Sequence, residues 1–179
     1  EYRTRRAELR NKIGGVLVLF GWTEGRDDVY RTPQGSNFQY LTGWTEPGAV
    51  LLLTPKEEKL FLPPRNERSE IYNGRRAAPG DDDVRDVTGF DAVLPLERLE
   101  SSIREALDVH LRFFAQGSPE QLAKIRTLVA MREVGDPQTI VAGLHMKKSA
   151  AEIEAIRRAT EASMDAHRAA WKRLKPGNF

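Results

Sequence analysis

Apolar positions in this chain fall into short unbroken runs and longer periodic stretches. Their alternation predicts strands and helices in layers. Val16 to Phe20 and Ala49 to Leu53 are continuous apolar runs, the signature of strands covered on both faces. Lys59 to Leu62 is another strand, stopped by Pro63-Pro64 because proline removes a ladder donor. The charged turn Lys56-Glu57-Glu58 between the last two predicts a hairpin over Ala49–Leu62. Phe38, Tyr40 and Trp44 stand at even positions, which predicts a half-buried strand, and Glu46-Pro47-Gly48 is a tight reversal. The stretch Asp27 to Thr54 is therefore expected to form a two-strand unit at the middle of a sheet. Asp27 to Tyr30 begins a further short strand in this reading.

Tyr2 to Lys12 predicts a short helix, with Leu9 and Ile13 one turn apart and Gly14-Gly15 at its end. Asn66 to Asn73 predicts another, closed by Gly74. Pro79-Gly80-Asp81-Asp82-Asp83 is a polar turn whose carboxylates suit the positive end of a helix that follows. Gly89 to Leu94 and Leu111 to Ala115 are short strands, with Phe90 and Val93 as core candidates. Leu96, Leu99, Ile103 and Leu107 mark a helix over Pro95 to Val109. Ser118 with Pro119 starts a helix running to about Met131, and Asp136-Pro137 breaks it. Ser149 and Glu152 form a capping box. The helix behind it carries the stripe Ile153, Ile156, Thr160, Met164, His167, Trp171 and Leu174, and ends before Pro176-Gly177. Strands alternating with helices, around one antiparallel hairpin, predict an α/β domain with a central mixed sheet flanked by helices and a long C-terminal linker helix.

Composition narrows the chemistry. The 179 residues suffice for one domain plus an extra element. There is no cysteine, which removes disulfides, thiolate metal sites and a cysteine nucleophile and fits a reducing, cytoplasmic compartment. No apolar run is long enough for a transmembrane helix, so no membrane partner is expected. The net charge is +2 with mixed signs, and nucleic-acid binding requires a concentrated basic stripe. The densest basic group, Arg3, Arg5, Arg6, Arg10 and Lys12, reads as a solvated helix face. His110, His145 and His167 have no ligand-type partner at metal spacing. Asp81-Asp82-Asp83 lacks the glycine and terminal glutamate of a calcium loop and reads as a solvated turn. Neither a nucleophile elbow nor a phosphate-binding loop is present.

The ordered string Asp27, Tyr30, Gln34, Ser36-Asn37-Phe38, Tyr40 to Gly43, Glu46-Pro47 and Ala49 to Leu53 resembles the N-terminal domain of the Xaa-Pro aminopeptidases, in the creatinase and prolidase group. The match continues through Leu62 to Arg65, Glu70-Ile71-Tyr72, Gly74-Arg75, Lys148-Ser149, Glu152-Ile153, Ile156 to Ala159, Ala166-His167 and Lys175-Pro176-Gly177.

The resemblance implies a division into a creatinase-type N-terminal domain over 1–145 and a linker helix over 146–179 that opens a pita-bread catalytic domain. In that family a catalytic domain with two divalent metal ions, usually manganese, removes the residue before proline. None of its ligands has a counterpart here, so this chain alone is expected to be inactive, with no metal or catalytic residue of its own. Its implied roles are substrate gating and oligomer contacts. Its implied partners are its own catalytic domain, further copies of itself, and peptides with proline at the second position. Asp27 and Tyr72, where the family often has Trp, match residues at the mouth of the active site. Read from the residues alone, Asp27 is equally an ordinary turn cap and Tyr72 an ordinary half-buried aromatic. Pro33 stands where the family usually has Arg, and His145 where it more often has Arg. The alternative is a freestanding interaction module of the same fold that docks through the 153–174 stripe.

Overall fold

The computed structural model describes residues 1–23, 35–130 and 132–174. Two units are distinguished, Glu1–Leu144 and His145–Phe179. Six strands order the first: β1 (Val16–Phe20), β2 (Val50–Leu53), β3 (Glu58–Leu62), β4 (Ala92–Pro95), β5 (Phe113–Gln116) and β6 (Val134–Gly135). They lie side by side as β4-β3-β2-β1-β5-β6. β2 is antiparallel to both β1 and β3. The pairs β3–β4, β1–β5 and β5–β6 are parallel. This is the mixed sheet the sequence predicts, with the Ala49–Leu62 hairpin in it.

The unbroken runs are buried on both sides, and alternate residues supply two different cores. Leu17 and Leu19 of β1, Leu51 and Leu53 of β2, and Leu60 and Leu62 of β3 face one cluster. It is covered by α1 (Tyr2–Ile13), α2 (Ser36–Thr42), α4 (Asp82–Thr88) and α7 (Gln138–Met146), through Leu9, Ile13, Phe38, Leu41, Val84, Val141 and Leu144. Val16, Val18, Val50, Leu52 and Phe61 face the second cluster. There α5 (Leu99–Val109) contributes Ile103 and Leu107, and α6 (Pro119–Val129) contributes Ile125 and Val129.

Several expectations are corrected. Phe38, Tyr40 and Trp44 do not alternate along a strand, because Ser36–Thr42 is the helix α2. Its buried residues are Phe38, Leu41 and Thr42, the i, i+3, i+4 spacing of a helical face. In so short a segment both periods fit, and Gly43 decides. It ends the helix at φ 69°, and a Cβ there would meet the Tyr2 ring at 2.5 Å. The middle of the sheet therefore holds β2 without the expected aromatic partner strand. The strand expected over Asp27 to Tyr30 lies outside the described residues. Asp136-Pro137 not only breaks a helix but starts one. The Asp136 carboxylate accepts from the Gln138 N–H at 2.9 Å, and α7 follows. The strand β6 is likewise absent from the pattern, because two residues carry no period. Leu111, expected inside a strand, is exposed before β5 begins.

The largest correction concerns the basic face of α1. Arg6 is fully buried, and so is Glu58 at the start of β3. Arg6 Nε donates to Glu58 Oε2 at 2.6 Å. Its Nη1 donates to the Leu41 carbonyl at 3.0 Å and its Nη2 to the Thr88 carbonyl at 3.5 Å. Those carbonyls lie in the last turns of α2 and α4, where helices leave acceptors without internal partners. The guanidinium also stacks 4.0 Å over the Phe90 ring. Arg10 Nη1 donates to the second Glu58 oxygen at 2.9 Å, and the Glu58 N–H donates to Asp91 at 2.9 Å. Arg5 donates to the Tyr40 carbonyl at 2.9 Å and lies over the Tyr40 ring. Only Arg3 and Lys12 of the five keep the expected solvated character.

The second unit contains α8 (Ala150–Arg173). The predicted capping box forms: Ser149 Oγ accepts from the Glu152 N–H, and the Glu152 carboxylate accepts from the Ser149 N–H. No residue of α8 is buried, and Ile153, Ile156, Met164, Trp171 and Leu174 are exposed. His167 lies one turn from Trp171, with ring centroids 6.4 Å apart. Among the described residues no helix is long and apolar enough to cross a membrane.

Arg6 gives the fold its sharpest test. Replacing it with Ala strands the carbonyls of two helices and half of the Glu58 carboxylate. The expected loss is about 3–5 kcal/mol in urea denaturation, the usual cost of breaking a buried charge pair. A loss below about 1 kcal/mol, the scale of an exposed pair, would show that Arg6 holds nothing.

Candidate recognition surface

The two residues matched to an active-site mouth fare differently. Asp27 lies outside the described residues, as do Pro33 and Gln34. Tyr72 stands on α3 (Glu67–Asn73) and is 82% exposed, with Ile71 beside it 78% exposed. Tyr72 is thus not the half-buried aromatic that the residues alone allow. Two adjacent apolar side chains held in water on a helix of only seven residues need an external reason, since burial would stabilise them.

What keeps α3 in place is a set of charges around the double proline. Pro63-Pro64 ends β3 and sends the chain out of the sheet. Arg65 follows, and its Nη2 donates to both Asp81 oxygens at 2.9 and 3.0 Å. Its Nε lies 3.8 Å from Glu70 of α3. Glu70 accepts from the Arg76 N–H at 3.4 Å. Asp81 also accepts from the Ala78 N–H at 3.0 Å and is reached by Arg75 at 3.4 Å. Glu46 accepts from the Ala77 N–H at 3.1 Å. Asp81 occupies the N-cap of α4, yet its carboxylate makes no capping bond to that helix. The aspartate turn is therefore committed to an arginine clamp, not solvated as expected. A cleft of about 620 Å³ lies along this segment, walled by Glu46, Pro47, Pro63, Pro64, Arg65 and Glu70.

Two carboxylates here are shifted in opposite directions. Burial raises Glu46 above its ordinary value of 4.5, against the Ala77 N–H and the Arg76 charge, which lower it. Asp81 is lowered from 3.8, first by the Ala78 N–H and then by Arg65 and Arg75. The sequence places Glu46, Arg65 and Glu70 among the family-matched positions, but nothing in their spacing shows that they meet. Among the described residues no three His, Asp or Glu side chains converge as metal ligands. The donor set here does not fit a dinuclear metal centre. An exposed apolar pair beside a charged cleft can bind a peptide-like partner.

The Glu46 shift has a definite sign. A carboxylate whose folded pKa is raised binds its proton more tightly when folded, so its contribution is present below 4.5 and lost as pH rises through the folded value. Glu46→Gln keeps the acceptor for Ala77 and removes the titration. The variant is expected to gain on the parent in urea midpoint as pH rises from 4 to 7. A difference that is flat or falls over that range would refute the assignment.

The comparisons with known proteins agree with this architecture. The family model described as aminopeptidase P, N-terminal domain, matches residues 2–112. A Xaa-Pro aminopeptidase of Escherichia coli K12 is 29% identical over 203 residues, covering 100% of this chain and 46% of the relative. One from Haemophilus influenzae is 30% identical over 195 residues, covering 100% of this chain and 44% of the relative. Among solved structures, the low-pH form of E. coli aminopeptidase P superimposes with a TM-score of 0.84 at 26% identity. The Yersinia pestis proline aminopeptidase P II does so with 0.79 at 28% identity. Each covers 100% of this chain, which covers 46% of the solved one. The chain thus spans about half the length of the curated relatives it matches. It belongs to the family of aminopeptidase P N-terminal domains.

Proposed function

We propose that this chain is the substrate-gating N-terminal part of a metal-dependent Xaa-Pro aminopeptidase, an enzyme that removes the residue preceding proline. The observation that carries this reading is the superposition of the whole chain on aminopeptidase P structures. Hydrolysis belongs to a second domain holding two divalent metal ions, with manganese the expected metal. Tyr72 supports the gating role because its ring stands in water next to a charged cleft. There it meets the distal, apolar end of a bound peptide, with Asp27 as the second mouth residue. The mouth is completed between copies of the protein, which makes oligomerisation part of the function. The exposed stripe Ile153–Leu174 favours a second reading, an interaction module without a catalytic half that docks through α8.

Mixing this chain with a separately made catalytic domain tests both. With manganese, this chain alone is expected to hydrolyse no Xaa-Pro peptide. Adding it to the catalytic domain is expected to create a preference in kcat/KM for particular peptide lengths. Tyr72→Ala is expected to weaken that preference about tenfold for longer peptides, the loss of one aromatic contact, and to leave dipeptides unchanged. If length preference is the same with and without the chain, the gating role is wrong. If the two pieces also fail to associate, the docking-module reading takes its place.

A further inference from the structure

The carboxyl ends of β1 and β5 lie side by side in parallel register, Leu19 opposite Gln116. The chain leaving β1 leads to α2 on the first face of the sheet, whereas the chain leaving β5 turns into α6 on the second. Connections that part to opposite faces open a crevice at the carboxyl ends of the strands, the place where open α/β sheets hold their ligands. A cavity of about 410 Å³ occupies it here, a size usual for small-ligand sites. Every described residue that lines it is uncharged. Four side-chain amides line it: Gln121 of α6, whose oxygen caps its own helix at Ser118, and Asn37 of α2, Gln116 of β5 and Gln138 of α7, which meet one another.

We propose that this cavity binds an uncharged peptide group through Asn37, Gln116 and Gln138. Asn37 Nδ2 donates to Gln116 Oε1 and to Gln138 Oε1, each at 2.8 Å. Gln116 Nε2 donates to Gln138 Oε1 at 2.6 Å. Turning the Asn37 amide over alone would aim its oxygen at two other carbonyl oxygens, so the three amides are oriented together, and turning all three reverses each bond and still leaves one donor and one acceptor open on Asn37 and Gln138. As the amides stand, among the described residues Asn37 Oδ1 accepts nothing and Gln138 Nε2 donates nothing. An acceptor and a donor on neighbouring side chains match the N–H and C=O of a secondary amide. An ion would meet no opposite charge among the described lining residues, and a purely apolar ligand would leave the amides unpaired. Phe20 and Phe38 supply an apolar wall for a flanking side chain. This site is separate from the Tyr72 surface and does not depend on the aminopeptidase reading.

The probe is N-acetylglycine N-methylamide, titrated into the isotopically labelled chain while the side-chain amide resonances of Asn37, Gln116 and Gln138 are followed by NMR. Acetate and glucose, at the same concentrations, are the comparison solutes. The probe is expected to move all three amide pairs saturably, and the comparison solutes to leave them in place. Gln138→Ala is expected to weaken binding about three- to tenfold, the loss of one neutral hydrogen bond. Gln138 is exposed, so the urea midpoint should hold. Gln138→Glu keeps the shape, adds a charge and is expected to weaken binding as well. Tyr72→Ala is expected to change nothing. The absence of a saturable shift, equal shifts with acetate or glucose, or parental affinity in both Gln138 variants would overturn the proposal.

Discussion

A charge taken out of water must be met on every side, and Arg6 meets that demand by joining four parts of the chain. It pairs with Glu58 at the head of β3, closes the ends of α2 and α4, and lies over Phe90. Its own helix is anchored on the sheet by Leu9 and Ile13. The desolvation cost of such a pair is several kcal/mol per ion, so its net contribution to stability is small while its geometric demand is strict. What it specifies is register. α1 can lie on this face of the sheet only where the guanidinium reaches both the carboxylate and the two helix ends. The second oxygen of Glu58, held by Arg10, and its N–H, held by Asp91, make the same demand from the other side.

That fixed frame bears on the candidate surface. β3 runs from Glu58 to Pro63-Pro64, so the anchor at its start and the exit at its end share one short strand. Beyond the prolines, Arg65 continues the same strategy with Asp81 and Glu70. The difference is exposure. The Arg6 pair is sealed in the core, whereas the Arg65 clamp sits at the surface, where water screens it. It positions α3 without burying it, and that leaves Ile71 and Tyr72 free to meet something outside the domain. The proposed gating role needs such a placement, an apolar tip in solvent on a helix held at its start by ion pairs.

The mixed topology supplies the other feature of interest. β1 is antiparallel to β2 and parallel to β5, and the helices that follow β1 and β5 lie on opposite faces of the sheet. The crevice at the carboxyl ends of β1 and β5 is walled by amides and aromatic rings, and its described lining carries no charge. The Arg65 cleft at the other site is rich in charge. One domain thus offers two chemically distinct surfaces.

Much of this architecture was legible in the residues. Val16 to Phe20 and Ala49 to Leu53 are apolar at every position, and only a strand covered on both faces accommodates that. Gly14, Gly74 and the Ser149–Glu152 box mark helix ends through local chemistry that needs no partner. The family was legible too, because its motif string is long and ordered. Other features depend on distance in sequence. Arg6 reads as one of five basic residues on a surface helix. Its place three residues before Leu9, on the buried stripe, gains meaning only once Glu58, 52 positions later, is brought to it. Phe38, Tyr40 and Trp44 fit the period of a strand while Phe38, Leu41 and Thr42 fit that of a helix, and the packing of Leu41 with the left-handed turn at Gly43 chose the helix. Asn37, Gln116 and Gln138 are unremarkable apart. Local propensity and periodicity are properties of neighbours along the chain, and the sequence determines them alone. Pairing of charges and convergence of amides are properties of neighbours in space, and only the tertiary structure decided those.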